Sequence, residues 1–221
     1  SITVFLLGII IRITKLLLTQ PHNTNLKIYP EKRPKWLLVL NDVFLLPNVR
    51  RNNKILWVFL LIFHISLLLL FIGHIELIKE FSLFQIIEHD VFLGKGFIGL
   101  ILIISLLFFL FRRFISPYRE LSVLEDYLLL ILLFLTFIFG SQMDWARSWY
   151  DYSELTVEDY RIYLTSLLSF KPEIPDNIKI SGHSFMLVLH VFFANLLLIF
   201  LPFSKLMHAF LTIPVNKLKR G

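Results

Sequence analysis

The stretch "LHVFFANLLLIFLPFSKLMH", residues 189–208, joins an apolar run of membrane-spanning length to a histidine near each end. About 20 apolar residues cross the ~30 Å of hydrocarbon in a bilayer. A backbone in lipid must satisfy its own hydrogen bonds, which predicts a helix. His190 and His208 are 18 residues apart, or about five helical turns, so an unbroken helix places both imidazoles on one face. Pro202 is the expected bend.

Four further apolar runs have a similar length. Hydrophobic residues make up 57% of the 221-residue chain, well above the roughly 45–50% of ordinary soluble domains. We predict an all-α, multi-pass protein of the cytoplasmic (inner) cell membrane, folded as one five-transmembrane-helix domain over residues 1–221. The predicted helices cover roughly residues 2–18, 55–78, 91–111, 121–140 and 182–211.

The distribution of basic residues predicts the orientation of these helices. Sixteen of the 22 Lys and Arg residues lie within 12–54, 112–119 and 205–220. Because basic residues concentrate on the cytoplasmic side, the N-terminus is expected outside and the C-terminus inside. The net charge of +6 then reflects membrane topology, and we predict no nucleic-acid partner.

Two connecting segments carry amphipathic patterns of their own. Residues 36–49 in the large inner loop are too short to span and read as an interfacial or partner-facing helix. Residues 141–181 are aromatic and amphipathic, and they read as a lid on the outer face. The chain contains no cysteine, which excludes disulfides, cysteine-held Fe–S clusters and covalently attached haem within it.

Four histidines lie inside apolar runs, two on the second predicted helix and two on the fifth. His64 and His74 belong to the former, and His190 and His208 belong to the latter. Polar groups at membrane depth are costly without a partner. Each histidine could make a lone interhelical hydrogen bond, but four of them on two helices favour paired metal ligands.

The predicted topology makes these two helices antiparallel, so their histidines can be matched by height. Height pairs His74 with His190 near the outer side and His64 with His208 near the inner side. The axial distance from His64 to His74 is about 15 Å for 10 residues, and that from His190 to His208 is about 27 Å for 18 residues. The histidines of each pair are therefore offset in height, unless the helices tilt or bend. Two imidazoles in an apolar shell suit the iron of haem b. Gly73, directly before His74, would leave room for the macrocycle.

Several motifs resemble those of one known family. They are "FHISLLLLFIGH" (63–74), "SPYRELSVLEDYLLLILL" (116–133), and "LHVFFANLLLIFLPFSKLMH" followed by "TIPVNKL" (212–218). The chain resembles the dihaem cytochrome b (gamma) subunit of respiratory nitrate reductase. That family includes the cytochrome b subunits of heterodisulfide-reductase-type and sulfite-reduction-associated membrane complexes. The two long loops lean towards these latter branches.

The resemblance implies two b haems, a proximal one on His64 and His208 and a distal one on His74 and His190. It also implies a quinone or quinol of menaquinone type at the outer face, and an Fe–S subunit and a catalytic subunit on the cytoplasmic side. The chain would be the electron-transfer subunit between them, using its two stacked haems. Lys95 lies where the family has a quinol-site lysine. It could contact a quinone or a haem propionate, or it could be an interfacial lysine that snorkels to water.

Other functions remain open on the sequence alone. A hydrogenase-type or formate dehydrogenase-type cytochrome b would use similar wiring. A non-redox anchor or transporter could instead use the histidines as proton relays, which would require protonatable residues along a path across the membrane. The centres of the first, third and fourth predicted helices carry almost none, which counts against that alternative.

Overall fold

The computed structural model describes residues 1–18, 34–79, 96–150, 155–180 and 184–219, which form helices and turns without a strand. The predicted all-α class is therefore confirmed for these residues. The longer helices are α1 Ile2–Leu18, α4 Lys54–Ile78, α5 Phe97–Arg112, α6 Leu124–Tyr150, α7 Val157–Leu168, α9 Ser184–Phe200 and α10 His208–Lys219. The shorter ones are α2 Lys35–Leu40, a π-helical turn Asn41–Leu45, α3 Pro47–Asn52, α8 Asp176–Ile180, and the 3₁₀ turns Leu201–Phe203 and Lys205–Met207.

Three stretches within the described residues are long and apolar enough to cross a membrane. They are Lys54–Ile78, Leu124–Ala146 and Ser184–Phe203. The helices at the other two predicted spans are too short to be counted with them, because α1 has 17 residues, as predicted, and α5 has 16. The start of the third predicted helix lies outside the described residues. Five spans and an external N-terminus stay predictions.

The fifth predicted helix, over 182–211 with its expected bend at Pro202, is interrupted at that proline. α9 ends at Phe200, a 3₁₀ turn contains Pro202, and Ser204 is extended at φ −109° and ψ 175°. The Ser204 hydroxyl accepts a hydrogen bond from the Leu206 amide at 3.2 Å, which caps the turn that follows. Proline removes a backbone donor and crowds the preceding turn. The inferred shared face of His190 and His208 therefore does not follow from their spacing.

The fourth predicted helix begins later and ends later than predicted. α6 starts at Leu124. In its first turn, the Asp126 carboxylate accepts a hydrogen bond from the Val123 amide at 3.1 Å. The helix continues past Gly140 to Tyr150. Gly140 lies inside the helix and does not form a turn. Its missing side chain allows the close approach of His190. The polar residues beyond Gly140 extend the helix instead of ending it.

The short helices at 35–52 replace the single helix predicted over 36–49. Leu46 adopts left-handed dihedrals (φ 45°, ψ 54°) and Pro47 opens α3. The residue before a proline is disfavoured in the α conformation, which explains the break at this point. Trp57 at the start of α4 donates its indole N–H to the Leu45 carbonyl at 2.7 Å, and the Arg50 guanidinium lies 5.0 Å from the Trp57 ring centre.

The chain divides into two compact units, Ser1–Leu61 with Asn195–Gly221, and Ile62–Ala194. The boundaries fall within α4 and α9. The single-domain prediction stays a prediction. In the first unit, Phe5 of α1 packs edge-to-face on Phe210 of α10, with ring centres 6.2 Å apart. The Ser1 hydroxyl donates to the Asn195 side chain.

Gly8 is the position where α1 approaches the Pro202 turn most closely. A Cβ at Gly8 would lie 2.5 Å from Pro202 Cβ and 2.9 Å from its Cγ. Because a proline ring cannot rotate away, we expect Gly8→Ala to destabilise this unit by about 1–3 kcal/mol. Unfolding in detergent micelles measures the effect. Leu7→Ala, at a side chain that is 54% exposed, is the matched control, and equal stability of Gly8→Ala and wild type would contradict the packing.

The second unit is built around the antiparallel pair α5 and α6. Leu102 and Leu106 of α5 are fully buried, and Gly99 lets the helix approach Ser141 of α6, whose hydroxyl a Cβ at 99 would overlap. This close packing makes α6 a fixed element. Ser141 of α6 contacts α5, and the neighbouring Gly140 contacts a histidine on α9.

Candidate functional site

Two of the predicted haem histidines face each other in the second unit. His74 on α4 and His190 on α9 have ring centres 6.2 Å apart and planes inclined by 33°. The two helices run antiparallel by prediction, and the structure brings together the two histidines that their predicted heights had matched. His190 is half-buried and His74 is exposed.

Each ring has one nitrogen committed to a backbone carbonyl. His74 Nδ1 lies 2.8 Å from the Leu70 carbonyl oxygen, one turn earlier on its own helix. His190 Nδ1 lies 2.8 Å from the carbonyl oxygen of Thr136 on α6. A carbonyl only accepts, so both Nδ1 atoms donate, and in the neutral imidazole the lone pair is then on Nε2. This is the state of a metal-ligating histidine, whose second nitrogen usually donates to a carboxylate or a carbonyl.

The separation of the rings can be compared with the width of one coordinated metal ion. Imidazole binds a first-row metal at about 2.0–2.1 Å, and the centre of a ring of about 1.35 Å bonds lies about 1.15 Å behind that nitrogen. Two imidazoles on opposite sides of one ion thus have centres roughly 6.3–6.5 Å apart. The observed 6.2 Å is close to this separation. The separation of the two rings therefore fits a bis-histidine haem.

A helix without a predicted ligand supports His190. Gly140 lies beside the imidazole, where a Cβ would come within 2.9 Å of both Cε1 and Nδ1. The backbone carbonyl of Thr136, one turn earlier, accepts a hydrogen bond from His190 Nδ1. Sequence reasoning missed both residues. The available signal was a small residue four positions after a hydroxyl residue in an otherwise apolar run, a spacing that puts the two on one helix face.

The other pair of predicted ligands is divided between the units. His64 lies on α4 in the second unit, next to Phe63, whose ring is edge-on to it at 5.3 Å. His208 opens α10 in the first unit, and its Nδ1 lies 3.0 Å from the Lys205 carbonyl oxygen. A backbone carbonyl thus holds the Nδ1 proton of His208 too. The pairing of His64 with His208 stays a prediction.

Comparison with known proteins identifies the family. Residues 50–221 match the profile of the family described as the nitrate reductase gamma subunit. This chain belongs to the nitrate reductase gamma subunit family. The resemblance drawn from the sequence motifs is confirmed.

Two curated relatives of this gamma-family chain carry the same description, "Hdr-like menaquinol oxidoreductase cytochrome b-like subunit". The protein from Archaeoglobus fulgidus is 30% identical, over 78% of this chain and 53% of the relative. The protein from Archaeoglobus profundus is 24% identical, over 77% of this chain and 55% of the relative. The chain spans about half the length of the curated relatives that it matches.

Two further predicted site residues of this gamma-family chain have different outcomes. A Cβ at Gly73 would meet no atom within 4 Å, so the position directly before His74 is open, as packing against a macrocycle requires. The haem-packing role of Gly73 stays a prediction. Lys95, predicted to contact a quinone or a propionate, lies outside the described residues.

The segment predicted as a lid is ordered by its own contacts over residues 155–180, and we call those residues the lid. Leu155 and Ile178 of the lid are buried against Leu187 of α9, one turn before His190. Arg161 of α7 donates from Nε to the Leu77 carbonyl at 3.2 Å, near the end of α4. The lid therefore packs against both helices that carry the His74–His190 site.

The lid begins with a capping box. The Thr156 hydroxyl accepts from the Asp159 amide at 3.2 Å, and the Asp159 carboxylate accepts from the Thr156 amide at 2.8 Å. Asn177 also donates to this carboxylate at 3.1 Å. The Thr156 backbone hydrogen bond, aided by these side chains and opposed by burial, holds the pKa of Asp159 below its usual value.

This lowered pKa predicts how the lid responds to acid. Stability that depends on the Asp159 carboxylate is complete above the ordinary pKa of about 3.9 and is lost as the pH falls through the lower folded value. Amide hydrogen exchange of residues 157–168, corrected for intrinsic rates, should therefore accelerate below about pH 4 in wild type. Asp159→Asn should flatten this dependence, whereas Glu158→Gln, at an exposed carboxylate, should preserve it. An unchanged profile in Asp159→Asn would contradict the assignment.

Proposed function

We propose that this chain is the membrane-embedded cytochrome b subunit of a quinol-linked oxidoreductase complex. It would pass electrons between a menaquinone-type quinol at one membrane face and a partner subunit at the other. The observation that carries the proposal is the His74–His190 pair, with ring centres 6.2 Å apart. Membership of the nitrate reductase gamma subunit family and the span-length helices support it.

His74 and His190 would hold one b haem through their Nε2 atoms. When bound, the haem iron supplies one-electron transfer. Each Nδ1–H donates a hydrogen bond to a backbone carbonyl, that of Leu70 or of Thr136, which fixes the tautomer and raises the basicity of each ligand.

His64 and His208 would hold a second b haem. Support comes from the sequence, in which the two apolar segments carry paired histidines, and from the family. Gly73 would give the first macrocycle room beside His74, and Lys95 would contact the quinone or a propionate. The quinol side would be outside and the Fe–S and catalytic subunits would be cytoplasmic, in accordance with the distribution of basic residues.

The names of the relatives favour one branch of the family for the complex. Both are described as subunits of Hdr-like menaquinol oxidoreductases, so we place this chain with a heterodisulfide-reductase-like complex rather than with nitrate reductase. The two long loops, which led to the same preference at the level of sequence, agree with this choice.

A reduced-minus-oxidised spectrum of the purified chain tests the proposal. We expect a b-type α band and about two haems per chain by pyridine haemochrome assay. Addition of a menaquinol analogue to the oxidised protein should produce the same band. Well-folded protein without haem would refute the proposal, and one haem per chain would refute the second site alone.

A further inference from the structure

Helix α6 contacts His190 at two positions that lie on one face of the helix. At Gly140 the imidazole lies where a side chain would be, since a Cβ would be 2.9 Å from Cε1, 2.9 Å from Nδ1 and 3.6 Å from Nε2. Distances under 3.0 Å do not occur for real Cβ atoms without a shift of one partner. Any residue other than glycine at 140 must therefore move the ring or move the helix.

Thr136 provides the second contact, four residues earlier. Its carbonyl oxygen lies 2.8 Å from His190 Nδ1. Its own hydroxyl donates to the Leu132 carbonyl at 2.8 Å and is buried. Thr136 is thus held in place by the helix before it, and its carbonyl gives the imidazole a fixed acceptor.

We propose that the Thr136 carbonyl and the bare backbone at Gly140 form a positioning seat for the His190 imidazole. Gly140 sets how near the ring approaches α6, and Thr136 sets which nitrogen carries the proton. Together they direct Nε2 of His190 towards the iron and increase its electron donation to that iron. The seat rests on the proposed function, because its purpose is to present a haem ligand.

A purely structural role for Gly140 would predict a different pattern of effects. Glycines on α5 and α6 can also serve helix packing, and Gly99 does so against Ser141, the residue that follows Gly140. Gly99→Ala and Gly140→Ala therefore make the same chemical change at the same level of the helix pair. Only the second one meets a histidine.

The experiment compares these two alanine variants with wild type in the full-length, membrane-extracted protein. Redox titration of the α band gives two midpoint potentials, and His190→Ala identifies the one that belongs to the His74–His190 haem. We expect Gly140→Ala to shift that potential, or to lose that haem and so about half of the total, with the other haem unchanged. Gly99→Ala should keep both haems and both potentials.

A second variant tests the Thr136 hydrogen bond without adding any atom beside the His190 ring. Replacing Phe137 by its α-hydroxy acid makes the Thr136 carbonyl an ester carbonyl, a weaker acceptor, and leaves every side chain unchanged. The His190 ligand then donates less electron density, so the same midpoint potential should rise. This variant decides the question if Gly140→Ala does not accumulate in the membrane.

The outcomes separate this inference from the proposed function. A wild-type chain without haem overturns both. Two haems in wild type, with unchanged potentials in the Gly140→Ala and ester variants, overturn the seat and leave the proposed function standing. An equal shift in Gly99→Ala and Gly140→Ala also overturns the seat, because loosened helix packing would then explain both.

Discussion

Replacing His190 with alanine should remove one of two b haems and leave the other spectrally intact. His74→Ala should remove the same haem, because the two rings lie 6.2 Å apart and one iron needs both. Each variant should therefore retain about half of the wild-type haem. The pyridine haemochrome assay and the two-step redox titration measure this loss. The expected effect is large because a haem that both imidazoles would hold is left with only one protein ligand.

The double variant of His74 and His190 gives a more specific test than the single variants. Residues that act as a unit are not additive, so the double variant His74→Ala with His190→Ala should lose no more haem than either single variant. His208→Ala should remove the other haem. His22→Ala, at a histidine outside the predicted helices, is the matched control and should retain both. If His74→Ala and His190→Ala removed different haems, the assignment of ligands would be wrong.

Replacing Asp126 with alanine should destabilise the second unit by about 2–3 kcal/mol. The Asp126 carboxylate is 5% exposed and accepts from Arg113 and from the Val123 amide, both at 3.1 Å. Its removal leaves a guanidinium in a partly dry site and an amide without its acceptor, and both are costly. The Arg113 side chain is 32% exposed, so water recovers part of its solvation and the cost stays below that of a fully buried pair.

The same helix connection offers a control for this stability prediction. Glu120 pairs with Arg119 at 3.5 Å, but both side chains are more than half exposed. Exposed ion pairs contribute little, so Glu120→Ala should change the free energy of unfolding by less than about 1 kcal/mol. Thermal or denaturant unfolding in one detergent compares the two variants. Equal effects at Asp126 and Glu120 would contradict the role given to the buried pair.

The fold class and one histidine pair could be predicted because they depend on local and additive properties. Hydrophobic content and run length are visible in any window of the chain. Matching His74 to His190 needed only helix direction and distance along the axis, which the rise per residue supplies. Both inferences tolerate errors of a few residues in helix boundaries.

The remaining features depend on contacts between segments that are distant in sequence. The extended residue Ser204 breaks the helix between His190 and His208. Their spacing of 18 residues therefore no longer determines whether they lie on the same face. Gly140 could be mistaken for a helix end. Its missing side chain instead leaves room for the ring of His190, 50 positions later in the chain. A pattern of residue types does not reveal such a partner.

The Nδ1 hydrogen bonds have a consequence for the order of assembly. The Leu70 and Thr136 carbonyls accept hydrogen bonds from the two Nδ1 atoms, and the ring centres lie 6.2 Å apart. A ligand that is already oriented gives up little conformational entropy on coordination. Under the proposed function, the polypeptide would therefore present both haem ligands in an orientation set by its own backbone, and its insertion into the membrane could precede the capture of haem.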